Sequence, residues 1–362
     1  MIFEQQLDFN DILIAPRRVI NGPSSRSQVS LKRVITFKNG QSWTGIPIIA
    51  ANMDTVGTMT MAKTLSKFEC MTALHKHYSV DQLIKFFGKE SYNQTELEHN
   101  KSHLQHSFYS MGISEQDYEK FQAVLSKVGT LKQNGFGIKA LCIDVANGYM
   151  QSFVDFCKKV RNNHPDLIIL AGNVVSKDIS EELVLNGVDI IKAGIGSGSV
   201  CTTRKIAGVG RPQVSTILDC APAVHNYQGF LCSDGGITKP GDLGKAYGAG
   251  SDFVMLGGML AGHTECEIEP IVKEGKKYYP YYGMSSAHAM KKHSGGVAHY
   301  RASEGKVVEL ADKGNVENTL LEIFGGVRST CTYVGAYNIN ELATKVDFYK
   351  SNIQTNDIYG KS

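Results

Sequence analysis

Several features that would set the class of this chain at once are missing. No apolar run approaches the ~20 residues that a membrane-spanning helix needs. The formal net charge is only +3 over 362 residues, which argues against a nucleic-acid binder or a membrane-surface protein. The start, Met1-Ile-Phe-Glu-Gln-Gln-Leu-Asp8, has no basic region followed by a long apolar core, so no signal peptide is expected. The eight cysteines, at 70, 142, 157, 201, 220, 232, 266 and 331, form no Cys-x-x-Cys pair, so no zinc knuckle is expected. A chain of this size needs no disulfide staples, and a reducing cytoplasm is the expected compartment. There is no internal repeat beyond a strand-helix unit.

The composition, 42% hydrophobic and 20% charged, is that of a soluble globular protein. Seven short runs, at 46–51, 70–75, 139–145, 167–172, 188–194, 229–234 and 252–257, are apolar without alternation. That is the mark of parallel strands covered on both faces. Helix-like stretches lie between them. One, at 179–187, ends on glycine, and another, at 239–250, has proline near its start and glycine at its end. A weaker eighth strand signal lies near 279–283. Eight strands alternating with helices predict an α/β protein, a (β/α)8 TIM barrel built as one domain over residues 1–362. A doubly wound open sheet is the alternative. The arm at 7–16 is expected to plug one end of the core.

Two segments interrupt the pattern. Residues 88–118 read as a polar, solvated insertion carrying His99, His103 and His106. On a helix His99 and His103 share a face, but no His-Glu-x-x-His motif is formed. Residues 285–313, rich in Gly, Lys and His, read as a flap over the barrel mouth.

The chemistry gathers at the strand ends, where a barrel places its active site. Asn52, Asp54, His75, Lys76, Asp144, Asn147, Asn173, Cys201 and Asp234 all fall at or just after a strand. Gly194-Ile-Gly-Ser-Gly-Ser-Val-Cys201-Thr-Thr-Arg204 is a glycine loop presenting one thiol among hydroxyls and a cation. A thiolate is the strongest protein nucleophile near neutral pH, although a free cysteine is more often a small buried hydrophobe. The alternate glycines resemble a dinucleotide fingerprint, but no helix opens directly after them, so that reading is set aside. Gly235-Gly236 and Gly257-Gly258 follow late strands and, with Ser199, suit a phosphate. Asp234 suits ribose hydroxyls, so a nucleoside monophosphate fits. Glu304, in the flap, is a general acid or base if it sits near Cys201 and Thr203.

These motifs resemble the IMP dehydrogenase and GMP reductase superfamily. The cysteine loop, with Gly208-Val-Gly-Arg-Pro-Gln213 behind it, is similar to the superfamily's catalytic loop. The segments 252–263, 282–286, 300–306 and 325–335 resemble the GMP reductase branch closely, and the likeness runs from about Leu7 to about Val346. The 88–118 segment is too short for the CBS domain of IMP dehydrogenases, and the flap has no Arg-Tyr step. Arg211, Ile237 and Ser197 depart from the GMP reductase pattern; the first two are more like IMP dehydrogenase.

The resemblance implies NADPH-dependent reduction of GMP to IMP and ammonia through a covalent Cys201 thioimidate, with Thr203 and Glu304 handling protons. It implies substrate contacts at Ser199, Asp234, Gly235, Gly236, Gly257, Gly258, Gly283, Met284, Ser285, Arg301, Ala302, Ser303 and Gly305. It implies cofactor contacts at Ser25, Arg26, Lys76, Asp144, Val145, Ala146, Ile195, Gly196, Tyr300, Arg301, Ser329, Thr330, Cys331 and Thr332. A monovalent cation, K⁺, is implied at Gly196, Gly198, Cys201 and Arg204, and the implied assembly is a homotetramer. Two alternatives remain: an IMP dehydrogenase lacking its regulatory domain, and a purine-nucleotide-binding protein without catalysis.

Overall fold

Eight parallel strands close on themselves in chain order: β1 (Ile48–Ala50), β2 (Met71–Ala73), β3 (Ser107–Met111), β4 (Ala140–Asp144), β5 (Ile168–Val174), β6 (Ile190–Ala193), β7 (Phe230–Asp234) and β8 (Phe253–Leu256). Val254 of β8 pairs with Ile48 of β1 and shuts the barrel. The computed structural model describes residues 4–89, 102–296, 302–351 and 354. The barrel helices are α1 (Met59–Lys67), α2 (Val80–Phe87), α3 (Glu115–Val128), α4 (Gln151–Asn163), α5 (Lys177–Leu185), α6 (Gln213–Asn226) and α7 (Pro240–Gly248). The flap contributes α8 (Ala287–Ser294), and α9 (Val316–Val334) completes the ring. Side-chain caps set several starts: Thr58, Ser79 and Ser114 accept amide hydrogens from the first turns of α1, α2 and α3.

Seven strands fall in the apolar runs, but the eighth does not. β3 lies inside the segment expected to be a solvated insertion. Its sequence, Ser-Phe-Tyr-Ser-Met, is buried along its whole length. Phe108 packs inside the barrel, while Tyr109 and Met111 pack outward against the helix shell. The two serines break the apolar run that marks the other strands. His103 and His106 are likewise buried, and His106 Nδ1 accepts the Trp43 indole N–H at 3.0 Å. His99 lies outside the described residues. The run near 279–283 is a strand, but not a barrel strand. It belongs to an antiparallel sheet of β9 (Ile271–Lys273), β10 (Lys276–Tyr282) and β11 (Val307–Ala311) beside the mouth.

The expected plug is also a different segment. The inner core is closed by Ile35, Phe37 and Trp43 of an N-terminal hairpin, which pack against Phe253 and the other inward side chains. The arm at 7–16 runs outside, where Ile12–Ile14 pairs with Phe348–Lys350 and Phe9 packs in the helix-strand layer. Among the described residues no helix is long and apolar enough to cross a membrane, and no group of three or more His, Cys, Asp or Glu could hold a metal ion.

Candidate active site

Strand alternation builds the floor of the site. Inward positions on β4 are Ala140, Cys142 and Asp144; on β6, Ile190 and Lys192; on β7, Cys232 and Asp234. The lower layers are apolar, and the top layer is charged. Lys192 Nζ lies 2.8 Å from Asp144 Oδ1 and 2.7 Å from Asp234 Oδ2, with its side chain only 5% exposed. Asn173, from β5, also donates to Asp234 Oδ2, at 2.8 Å. Burial alone would raise the Asp144 carboxyl, but the Lys192 ammonium, with a further hydrogen bond from Asn52, outweighs it and leaves the pKa lowered. Burial pulls on Lys192 in the opposite sense, and the two carboxylates carry its pKa well above the ordinary lysine value.

The cysteine loop leaves β6 pressed against β7. A Cβ on Gly194 would stand 2.0 Å from the Asp234 carbonyl oxygen, and its φ is +153°, so only glycine fits. Ser197 donates to that same carbonyl at 2.8 Å, so the residue departing from the family pattern ties the loop to β7. Arg211 spends its guanidinium on Asp219, the Val175 carbonyl and Gln6, holding the start of α6. Arg204 reaches Asp8 and the Arg211 carbonyl.

Three side chains from two distant segments form a line. The Cys201 thiol donates to Thr203 Oγ1 at 3.2 Å, and the Thr203 hydroxyl donates to Glu304 Oε2 at 2.7 Å. Backbone pairing keeps the line in place: the Thr202 amide donates to the Glu304 carbonyl, the Lys306 amide to the Val200 carbonyl and the Glu304 amide to the Ser285 carbonyl. A cleft of about 290 Å³ opens beside the thiol. Asn52, Asp144, Val145, Ala146, Lys192, Ile195, Gly196, Asp234, Gly283, Met284, Ser285 and Glu304 line it. It adjoins a second cleft of about 300 Å³ lined by Ser199, Thr238, Gly258, Lys306 and Lys313, the two meeting at Val200 and Tyr281.

Tyr281 was not singled out by sequence, and its setting is informative. Burial pushes its hydroxyl up to about 12, and Ser199 is its hydrogen-bond partner. Cβ atoms at Gly257 and Gly258 would meet Tyr281 OH at 2.8 Å and Ser199 Oγ at 3.0 Å. Glycine thus lets two hydroxyls and a backbone turn crowd together, as an oxyanion or phosphate pocket requires. The signal for Tyr281 was present in the 279–283 run, but that run reads as a plain strand. Lys192 was hidden inside the apolar run 188–194.

The expected residues do not all converge. Gly235 and Gly236 turn beside the cysteine loop, with φ of +91° and +80°. Ala302 is exposed; Ser303 Oγ accepts the Ala287 amide at 2.9 Å, and Gly305 bridges both Cys201 and Ser286. Tyr300 and Arg301 lie outside the described residues. Lys76 pairs with Asp117 at 3.0 Å beside the mouth. Ser25 caps the short turn Arg26–Gln28, and the arm on either side bonds to the end of α9 and the turn after it, Arg17 to Tyr333 and Ser30 to Tyr337. Ser329 and Thr330 of α9 line an apolar cleft beside α7 with Ile14 and Tyr333. None of Ser25, Arg26 or Ser329–Thr332 lines the cleft of Cys201. The Cys331 thiol is fully buried in the helix shell, so it cannot meet a cofactor.

Comparison with known proteins bears on this geometry. A family model described as the IMP dehydrogenase / GMP reductase domain matches residues 6–356. GMP reductase 2 of Homo sapiens is 51% identical over 358 residues, covering 99% of this chain and 97% of the human one. GMP reductase 1 of Rattus norvegicus is 50% identical over 356 residues, covering 98% of each. The GMP reductase of Aeromonas hydrophila is 51% identical over 357 residues, again covering 98% of each.

Proposed function

The chain belongs to the IMP dehydrogenase / GMP reductase family, and on that premise we propose that it is a GMP reductase, an oxidoreductase that converts GMP to IMP and ammonia with NADPH. The observation that carries the reading is the line Cys201–Thr203–Glu304. The Cys201 sulfur adds to purine C2 as its proton passes through Thr203 to Glu304. Glu304, now protonated, returns that proton through Thr203 to the amino group as the C–N bond breaks, and ammonia departs. C2 is left bonded to sulfur as a thioimidate. NADPH, when bound, supplies the hydride that replaces sulfur at C2. The Cys201 thiolate leaves with the bonding pair and takes up a proton. The sum is GMP, NADPH and one proton giving IMP, ammonia and NADP⁺. Covalent catalysis here divides one difficult displacement into two easier ones.

The residues present fit the two ligands. Ser199, Tyr281 and the Gly257-Gly258 turn form a donor-rich pocket for the phosphate, in a cleft that Lys306 and Lys313 also line, and Asp234 faces the cleft beside it for the ribose. Asp144, Val145, Ala146 and Ile195 line the side of the cleft left for the nicotinamide. Ser25, Arg26, Ser329, Thr330 and Thr332 stand apart from that cleft, so in this reading they, without the buried Cys331, meet the cofactor of a neighbouring copy. That supports a homo-oligomer, which we take to be a tetramer. The carbonyls of Gly196, Gly198 and Cys201 are neutral oxygen donors of the kind a monovalent cation takes, and Gly198 spends one lone pair on the Cys201 amide. The compartment we assign is the cytoplasm.

Adding GMP to purified protein and NADPH should consume NADPH absorbance and produce IMP. No consumption by folded protein rejects the reading. XMP formed from IMP and NAD⁺, with no GMP reduction, identifies an IMP dehydrogenase without its regulatory domain. Binding of GMP with neither reaction identifies a non-catalytic nucleotide-binding protein.

A further inference from the structure

The top layer of the barrel interior contains a cation that the chemistry at Cys201 does not use. Lys192 is held at 2.8 Å and 2.7 Å by two carboxylates that face opposite parts of the cleft, and its side chain is 5% exposed. Asp144 and Asp234 are more open, at 37% and 20%. The ammonium is nearly enclosed at the base of the cleft, and it contacts both of the more open carboxylates. Burying a charge this deeply is costly unless it is paired, and an apolar side chain would fill the layer at lower cost. On Asp234, both Lys192 and Asn173 donate to Oδ2, leaving Oδ1 for a ligand.

We propose that Lys192 is a positioning residue that turns Asp234 into a reader of the substrate ribose, selecting ribonucleotide over 2′-deoxyribonucleotide. The inference rests on the reading of the cleft as a GMP site. An ionised carboxylate held in one rotamer accepts strong charge-assisted bonds from a pair of hydroxyls. Without the ammonium, Asp144 and Asp234 face each other as like charges. One then takes up a proton or swings aside, and the second hydroxyl of the ribose no longer earns a strong bond. Asn173 alone cannot restore it, because an amide hydrogen brings no countercharge.

The test is calorimetric titration of the full-length protein with GMP and with 2′-deoxy-GMP, without cofactor, so that it does not depend on turnover. The wild-type protein should bind GMP about ten- to a hundredfold more tightly, the range of one hydrogen bond to a charged group. Lys192→Met should narrow that ratio to within about threefold. If Lys192→Met weakens both ligands by one common factor, Lys192 is structural and the inference is overturned. A wild-type protein without ribose preference overturns it as well. Should the single variant fail to fold, Lys192→Gln keeps a hydrogen-bond donor in the layer but puts no countercharge between the two carboxylates. Its ratio should stay narrow, and a wild-type ratio there overturns the proposal. A protein that prefers GMP over 2′-deoxy-GMP but never consumes NADPH keeps this inference and rejects the reductase reading.

Discussion

The two walls of the cleft are held by different means. The barrel wall carries Cys201, Asp144, Lys192 and Asp234 at the ends of strands whose other side chains are buried. Its polar groups are cross-linked at their bases. The flap wall carries Ser285 just before α8 and Glu304 on the segment that returns from it, tied down by scattered bonds. One is the backbone pairing of Gly305 with Cys201. Another is Asp54, whose Oδ2 lies 2.6 Å from His293 Nε2, 3.0 Å from Lys292 Nζ and 2.8 Å from Tyr282 OH. Burial would raise the Asp54 carboxyl, yet those three partners hold its pKa below the ordinary value. The nucleophile is thus positioned by the scaffold, and the acid is brought to it by a segment that can be loosened without unfolding the barrel.

The largest effect should come from the barrel wall. Cys201→Ser is expected to reduce GMP turnover to background while GMP binding and thermal stability stay near wild type. Serine keeps the shape but is a far weaker nucleophile. Intact-protein mass spectrometry should find a purine adduct on the wild-type protein alone. An adduct on the serine variant moves the nucleophile elsewhere.

Glu304 tests the flap wall. Ammonia leaves only if its nitrogen is protonated, whereas hydride transfer expels a thiolate that needs no acid. Glu304→Gln should therefore lower GMP reduction by about 10²–10⁴-fold, the usual contribution of a general acid. The reverse half-reaction, IMP with NADP⁺ giving NADPH in a single turnover, should fall much less. Equal loss of both half-reactions makes Glu304 a closing contact of the flap and removes it from the proton path.

Asp54 asks whether the walls are separable. Asp54→Ala leaves Lys292 and Tyr282 without their shared acceptor, and kcat/KM for GMP should fall about ten- to a hundredfold. Trypsin should cut at Lys291 or Lys292 sooner than in the wild-type protein, with the barrel's melting temperature little changed. A lower melting temperature with unchanged tryptic cleavage would place Asp54 in the barrel wall instead.

The barrel wall was the more legible of the two in the sequence. Strand runs with polar residues at their ends can be read directly, because burial on both faces removes alternation. The same signal failed at β3, where Ser107 and Ser110 occupy buried positions. It hid Lys192, since the two charges of Val188-Asp-Ile-Ile-Lys-Ala193 are hard to tell from strand ends. The Cys201–Thr203–Glu304 line joins positions a hundred residues apart, and only the motif resemblance foretold it. Asp54 stood out as polar at a strand end, but its partners come from the flap, and no local pattern links them. The arm at 7–16 reads as the plug because Ile12-Leu-Ile-Ala15 is plainly apolar, whereas Trp43 stands among Gln41, Ser42 and Thr44 and carries no such signal.

Acid should act on both walls, but through different readouts and with the smallest effects. His106, beneath the barrel, is held neutral by burial, with its pKa down at about 4, and Lys139 adds to the shift. Burial does the same to His77, at about 4, where its ring stacks on His293 of the flap at 3.5 Å. An unfolded histidine titrates near ~6.5. Between that value and about 4 the unfolded chain binds the extra proton, so stability present above ~6.5 is lost as pH falls. For buried His106 the slope is about 1.4 kcal/mol per pH unit. His106→Gln keeps an acceptor for the Trp43 N–H and should flatten the fall of melting temperature between pH 6.5 and 5. His77 is half-buried, on the flap side, and next to the cations Lys76 and Lys120. His77→Gln should leave the melting curve alone and instead remove the acid-induced rise in tryptic cleavage of α8. If the two variants flatten the melting curve equally, the flap and the barrel unfold as one unit and the distinction between the walls is lost.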